Sequence, residues 1–115
     1  MYKRGEIWLC DLGEKDIKGS EQGGKRYCVI ISNDIGNHYS SVVSVTFITS
    51  RDKDKHKNKM QPTHTPIMLH KPSLVLTEQL QTISKDRLCK FYRKATEEEM
   101  ERIDKCLKIS LGLGR

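Results

Sequence analysis

A small, mostly β, barrel-like domain with one α-helix at its C-terminal end is the fold class this chain predicts. Two runs, "RYCVIIS" (26–32) and "VVSVTFITS" (42–50), are apolar and rich in β-branched residues, as strands buried in a sheet require. Only one stretch, from Thr96 to Gly112, carries apolar residues at helical spacing behind a cap. The length of 115 residues allows one modest core and not two, so residues 1–115 are expected to form a single domain.

Along the chain, "GEIWLCDL" (5–12) has the mixed apolar–polar pattern of a first strand, ended near Gly13. "GSEQGGKR" (19–26) is a polar glycine turn that delivers Arg26 to the first position of the second strand. "NDIGNHYSS" (33–41) has the Asn, Asp, Gly and Ser content of a turn or loop. The third strand, 42–50, is followed by "RDKDKHKNK" (51–59), in which five basic residues oppose two acidic ones. That run cannot join a core and is expected to be solvated. "PTHTPIML" (62–69) begins as a turn and becomes a short strand after Pro66, and "SLVLTEQLQTIS" (73–84) supplies one or two more strands. In the final segment Thr96 and Glu99 have capping-box spacing, and Glu97, Glu98 and Glu99 crowd the positive end of the helix dipole. Met100, Ile103 and Leu107 form its apolar face, and Gly112 is placed to stop it.

The formal charge of +6 and pI near 9.2 favour a polyanionic partner, nucleic acid before membrane surface. No apolar run approaches the roughly 18 residues of a membrane span, and the N-terminus lacks the apolar centre of a secretory signal. Cys10, Cys28, Cys89 and Cys106 show no Cys-x-x-Cys and no paired spacing with histidine, so no metal site is expected. Cys10 and Cys28 lie in apolar runs as small hydrophobes, which fits a reducing cytoplasm. Lys25 is followed by Arg26 and a strand, not by Ser or Thr and a helix, so no Walker loop and no nucleotide cofactor is expected.

Few side chains carry chemistry by type alone. Arg26, fixed by a strand, suits bidentate contact with a phosphate, although a surface arginine is the ordinary reading. Thr49 ends a strand where threonine is usually structural. His64, between Thr63 and Thr65, sits in a proline-flanked turn, whereas His38, His56 and His70 look like plain loop residues. Glu78 and Gln79 follow an apolar strand and are placed for a barrel rim or interior.

Taken in order, "RGEIWLCDL", "GSEQGGKR", "VIISND", "ITS", "PTH", "LVLTEQLQTI" and "LKISLGL" resemble the MazF/PemK family of toxins, from Arg4 to Leu113. The resemblance implies a compact SH3-like β-barrel with a C-terminal helix, assembled as a homodimer, and a cognate antitoxin as protein partner. It implies a sequence-specific endoribonuclease that cuts single-stranded RNA without a metal, through attack of the ribose 2′-OH, leaving a 2′,3′-cyclic phosphate and a 5′-OH. Carried onto this chain, the catalytic pair is Arg26 and Thr49, with Ser20, Gln22, His64 and Gln79 near the RNA groove. Two positions depart from the family pattern: Tyr27 stands where proline is usual, and Gln81 where arginine is frequent. Two other functions are compatible with parts of the pattern. One is a gyrase poison like the CcdB toxins, whose fold is similar, but here Trp8 is the only tryptophan and lies far from the C-terminus. The other is an RNA-binding regulator whose nuclease site has decayed, which would bind RNA without producing new 5′-OH ends.

Overall fold

The computed structural model describes residues 2–13, 24–51 and 61–114. Six strands, β1 (Glu6–Asp11), β2 (Lys25–Ile30), β3 (Val42–Ser50), β4 (His64–Met68), β5 (Pro72–Ser84) and β6 (Leu88–Lys94), form one antiparallel sheet in the order β4-β5-β3-β2-β1-β6. Two helices, α1 (Asp34–Tyr39) and α2 (Glu97–Leu111), complete the described elements, with a 3₁₀ turn at Lys85–Arg87. The mainly β class with a C-terminal helix is as expected.

The uninterrupted apolar runs of β2 and β3 are explained by burial on both faces. Successive side chains of a strand point to opposite sides. Cys28 and Ile30 of β2 pack with Val43, Val45 and Phe47 of β3, while Val29 joins Ile7, Ile48 and Val75 on the other side. That second cluster is covered by α2 through Ile103 and Leu107, the helical face expected to be apolar. The helix begins with a complete capping box between Thr96 and Glu99. It ends at Gly112, whose left-handed φ of 69° turns the chain so that the next N–H, of Leu113, reaches back to Lys108 O at 2.8 Å.

The sheet curls without closing its hydrogen-bond ladder, since β4 and β6 are both edges. A side chain bridges them instead. Arg93 of β6 donates to the Met68 carbonyl at the end of β4 (2.8 Å) and, with both terminal nitrogens, to the Glu99 carboxylate (2.8 and 3.0 Å). The Arg93 guanidinium holds the Glu99 carboxyl below the usual carboxylate range, against the upward pull of burial. One arginine thus ties both sheet edges to the first turn of α2.

Three elements differ from the sequence expectation. Residues 34–39 form a helical turn, because Asn33 caps it by accepting from Gly36 N at 2.8 Å. β4 starts at His64, ahead of Pro66, and tolerates that proline because β4 is an edge strand. β6, "LCKFYRK", has no counterpart among the expected strands: only Leu88 is buried, and three basic residues among seven leave no alternating apolar pattern to read. Among the described residues no helix is long and apolar enough to cross a membrane.

Candidate active site

Arg26 is the second residue of β2 and Thr49 the eighth of β3. The two strands pair with Tyr27 opposite Ile48, so one step along the same register sets Arg26 opposite Thr49. Alternation then puts Arg26, Thr49 and Phe47 on one face. The contacts agree: the Arg26 guanidinium carbon lies 4.5 Å from the centroid of the Phe47 ring, which is itself buried beside Cys10 and Cys28. Arg26 Nη2 also donates to Gln79 Oε1 at 3.2 Å. An apolar ring below and an amide oxygen to one side orient a planar cation at the end of two paired strands. Below it, Cys28 is pushed well up by its hydrogen bond to Cys10 and by burial, so its thiol stays protonated.

Gln79 reaches Arg26 because β5 bulges. Thr46 pairs with Leu80 but the next β3 residue, Phe47, pairs with Leu76, which leaves Thr77, Glu78 and Gln79 without β3 partners. The bulge is pinned by hydrogen bonds. Thr77 N and Oγ1 both donate to Thr63 O (3.1 and 2.7 Å), and Ser110 of α2 donates to Thr77 O at 3.1 Å. Glu78 points away from Arg26 and accepts from Thr63 Oγ1 at 2.8 Å and from His64 Nε2 at 3.1 Å. Burial raises the Glu78 carboxyl, yet the hydrogen bonds from His64 and Thr63, together with a backbone hydrogen bond and the His64 charge interaction, keep it below its usual range.

His64 therefore sits on the far side of the bulge with a side chain only 7% exposed. Gln61 N donates to its Nδ1 at 3.5 Å, which leaves the proton on Nε2 for Glu78. Ser20 and Gln22 lie outside the described residues, as does most of the basic run, 52–60. Of the residues singled out in the sequence, the fold brings together Arg26, Thr49 and Gln79.

Sequence reasoning missed Phe47, although a position two residues before Thr49 on one strand must share its face. It also missed His70. Directly after β4, the His70 ring lies 4.9 Å from the centroid of Tyr92 and 6.1 Å from that of Tyr27. These rings stand on the face opposite Arg26, where Tyr27 packs against the α2-covered cluster. There Tyr27, Ile48, Leu69 and His70 line a cavity of about 350 Å³, together with Lys25 and Lys71. The same cavity reaches Arg26 and Thr49 at the strand ends. Among the described residues no three His, Cys, Asp or Glu side chains gather as a metal site would need.

Comparison with solved structures gives the same fold throughout. An endoribonuclease from a mycobacterial species, in complex with its cognate antitoxin, superposes with a TM-score of 0.81 at 23% identity, covering 100% of this chain and 99% of that one. A second mycobacterial endoribonuclease has a TM-score of 0.76 at 22% identity, covering 98% of this chain and 93% of that one. MazF from Deinococcus radiodurans has a TM-score of 0.74 at 19% identity, covering 96% of each chain. At such identities the likeness is one of fold. The sequence itself matches a family model, "PemK-like, MazF-like toxin of type II toxin-antitoxin system", over residues 3–111. Nearly the whole chain is within that match, and the chain belongs to the PemK-like, MazF-like toxin family.

Proposed function

We propose that this toxin-family chain, acting as one domain over residues 1–115, is an endoribonuclease that cuts single-stranded RNA with Arg26 and Thr49. The observation that carries the reading is the placement of Arg26: an always-charged guanidinium, backed by Phe47 and held by Gln79, on the same face as Thr49. In the reaction the ribose 2′-oxygen bonds to phosphorus while the P–O5′ bond breaks. The proton lost by the 2′-hydroxyl is made up on the departing 5′-oxygen, which leaves a 2′,3′-cyclic phosphate and a 5′-OH. Negative charge builds on the phosphoryl oxygens, and Arg26 meets it without reorganising. Thr49 donates to the same phosphate. DNA has no 2′-hydroxyl, so it binds without being cut.

Gln79 orients Arg26, and His64 supports the groove from behind by holding Glu78. Ser20 and Gln22 bind the RNA. Basic residues of 51–59 supply salt-sensitive attraction to the RNA backbone. A second copy of the chain forms the groove as a homodimer. A cognate antitoxin with an acidic segment occludes it, and the pair works in the cytoplasm.

The test is digestion of a long unstructured RNA in EDTA with mapping of new 5′-OH ends, alongside Arg26→Ala and Thr49→Ala. Discrete cuts at one recurring motif, lost in both variants, are expected. Cuts that survive both variants would move the site elsewhere. Folded wild-type protein that binds RNA without cutting it would overturn the nuclease in favour of a binding regulator.

A further inference from the structure

We propose that the cavity beside the candidate active site is a nucleobase subsite: it takes one unstacked base of the RNA adjacent to the scissile phosphate, against the rings of His70 and Tyr27. The proposal rests on the nuclease reading above and adds a specificity-determining pair to it.

The position fits. The cavity opens at the same ends of β2 and β3 that carry Arg26 and Thr49, but on the opposite face. A chain whose phosphate is held at Arg26 passes the strand ends there, and its neighbouring base swings onto that face. The size fits as well. At about 350 Å³ the cavity lies at the small end of ligand sites, enough for a single base with its sugar and no more.

The lining has the chemistry that single-stranded nucleic acid needs. Tyr27 and His70 line it at an interplanar angle of 59°, and Tyr92 packs against both at 64° and 69°, so no ring is stacked parallel on another. A planar base can be added parallel to Tyr27 or His70, the two rings that face the cavity. Lys25 and Lys71 line the same cavity, two cations placed for the flanking phosphates. Ile48 and Leu69 give it an apolar floor.

Tyr92 and Tyr27 are half-buried and pack on the core, whereas His70 is exposed, so His70 can be replaced with least harm to folding. The experiment first maps the cut motif in EDTA, then measures binding to a short RNA bearing that motif with 2′-deoxyribose at the cleaved position. Wild type is compared with His70→Ala and His70→Phe, and with RNA made abasic at each position flanking the cut.

His70→Ala is expected to weaken binding about tenfold and to relax base preference at one flanking position, while His70→Phe keeps both. An abasic site at that position should weaken wild-type binding by a similar factor and add little to His70→Ala. Equal affinity and an unchanged motif in His70→Ala overturn the subsite. Equal damage in His70→Phe and His70→Ala also overturns stacking, because only imidazole proton chemistry would then explain both. Failure of the nuclease reading looks different: wild type yields no new 5′-OH ends. Short homopolymer RNAs then replace the mapped motif, and binding that is identical for wild type and His70→Ala still rejects the subsite.

Discussion

Two neighbouring residues of one bulge point in opposite directions and end in different kinds of site. Glu78 turns toward β4 and finds Thr63 and His64 at 2.8 and 3.1 Å, in a cluster that also clips β5 to α2 through Thr77 and Ser110. Gln79 turns toward β2 and meets Arg26, whose guanidinium stands over a buried ring at the strand ends. The first cluster closes on itself and holds the fold. The second orients a permanent charge beside an open cavity. On the proposed reading, what separates a structural polar group from a working one is direction and setting, since both clusters use ordinary polar residue types.

The largest expected effect breaks the open side alone. Arg26→Ala should lower the rate of RNA cleavage by about a hundredfold to a thousandfold, the cost of losing one preorganised donor to a developing oxyanion. Its melting temperature should stay close to wild type, because Arg26 lies outside both apolar clusters. Comparable losses of rate and of folded protein would show that Arg26 holds the sheet instead. A smaller effect follows from its neighbour. Gln79→Ala leaves the charge in place and removes only the 3.2 Å hydrogen bond that aims it, so the rate should fall about tenfold. Single-turnover kinetics at saturating RNA distinguish this from weaker binding.

The closed side should respond in the other currency. Thr77 is fully buried, and its hydroxyl donates to Thr63 O at 2.7 Å. Thr77→Val keeps the shape and removes that bond, at a cost of about 1 kcal/mol, or about 4 °C in melting temperature. The positions of RNA cuts should not move. A shifted cut motif with unchanged melting would reverse the assignment of the two clusters.

The sequence made one side of this comparison more legible than the other. β-branched runs announced β2 and β3, and the Thr96–Glu99 spacing announced α2, because each is a local pattern with one dominant physical cause. Arg26 and Thr49 stood out only through resemblance; their opposition on adjacent strands is a matter of register, which no single segment encodes. The bulge was hidden for the same reason, since Thr77–Gln79 look like ordinary strand until β3 is laid beside them. His64 drew attention for its proline-flanked setting and is bound up with Glu78, while His70, in an equally plain loop, lines the cavity. β6 went unrecognised because its partner β1 lies far away in the chain and basic side chains interrupt its pattern.

The smallest effect bears on whether the closed cluster is held by charge or by hydrogen-bond geometry. Burial pulls the Glu78 carboxyl up, but hydrogen bonds from His64 and Thr63, with smaller backbone and charge contributions, together keep it below its ordinary range. Its folded pKa is lower than its unfolded one, so its contribution is present in full above the ordinary carboxylate range. That contribution disappears as pH falls through the folded value. The side chain is 45% exposed, and solvent screening limits the effect to about 0.5 kcal/mol. Melting curves of wild type and Glu78→Gln should therefore differ by about 2 °C near neutrality and converge in acid. A gap that persists unchanged into acid would mean that the carboxylate's charge is irrelevant and that the shape of the hydrogen-bonded bulge alone stabilises it. Cleavage assayed at neutral pH is a second axis: a loss in Glu78→Gln as large as that in Arg26→Ala would put Glu78 on the working side of the bulge and dissolve the distinction between its two neighbours.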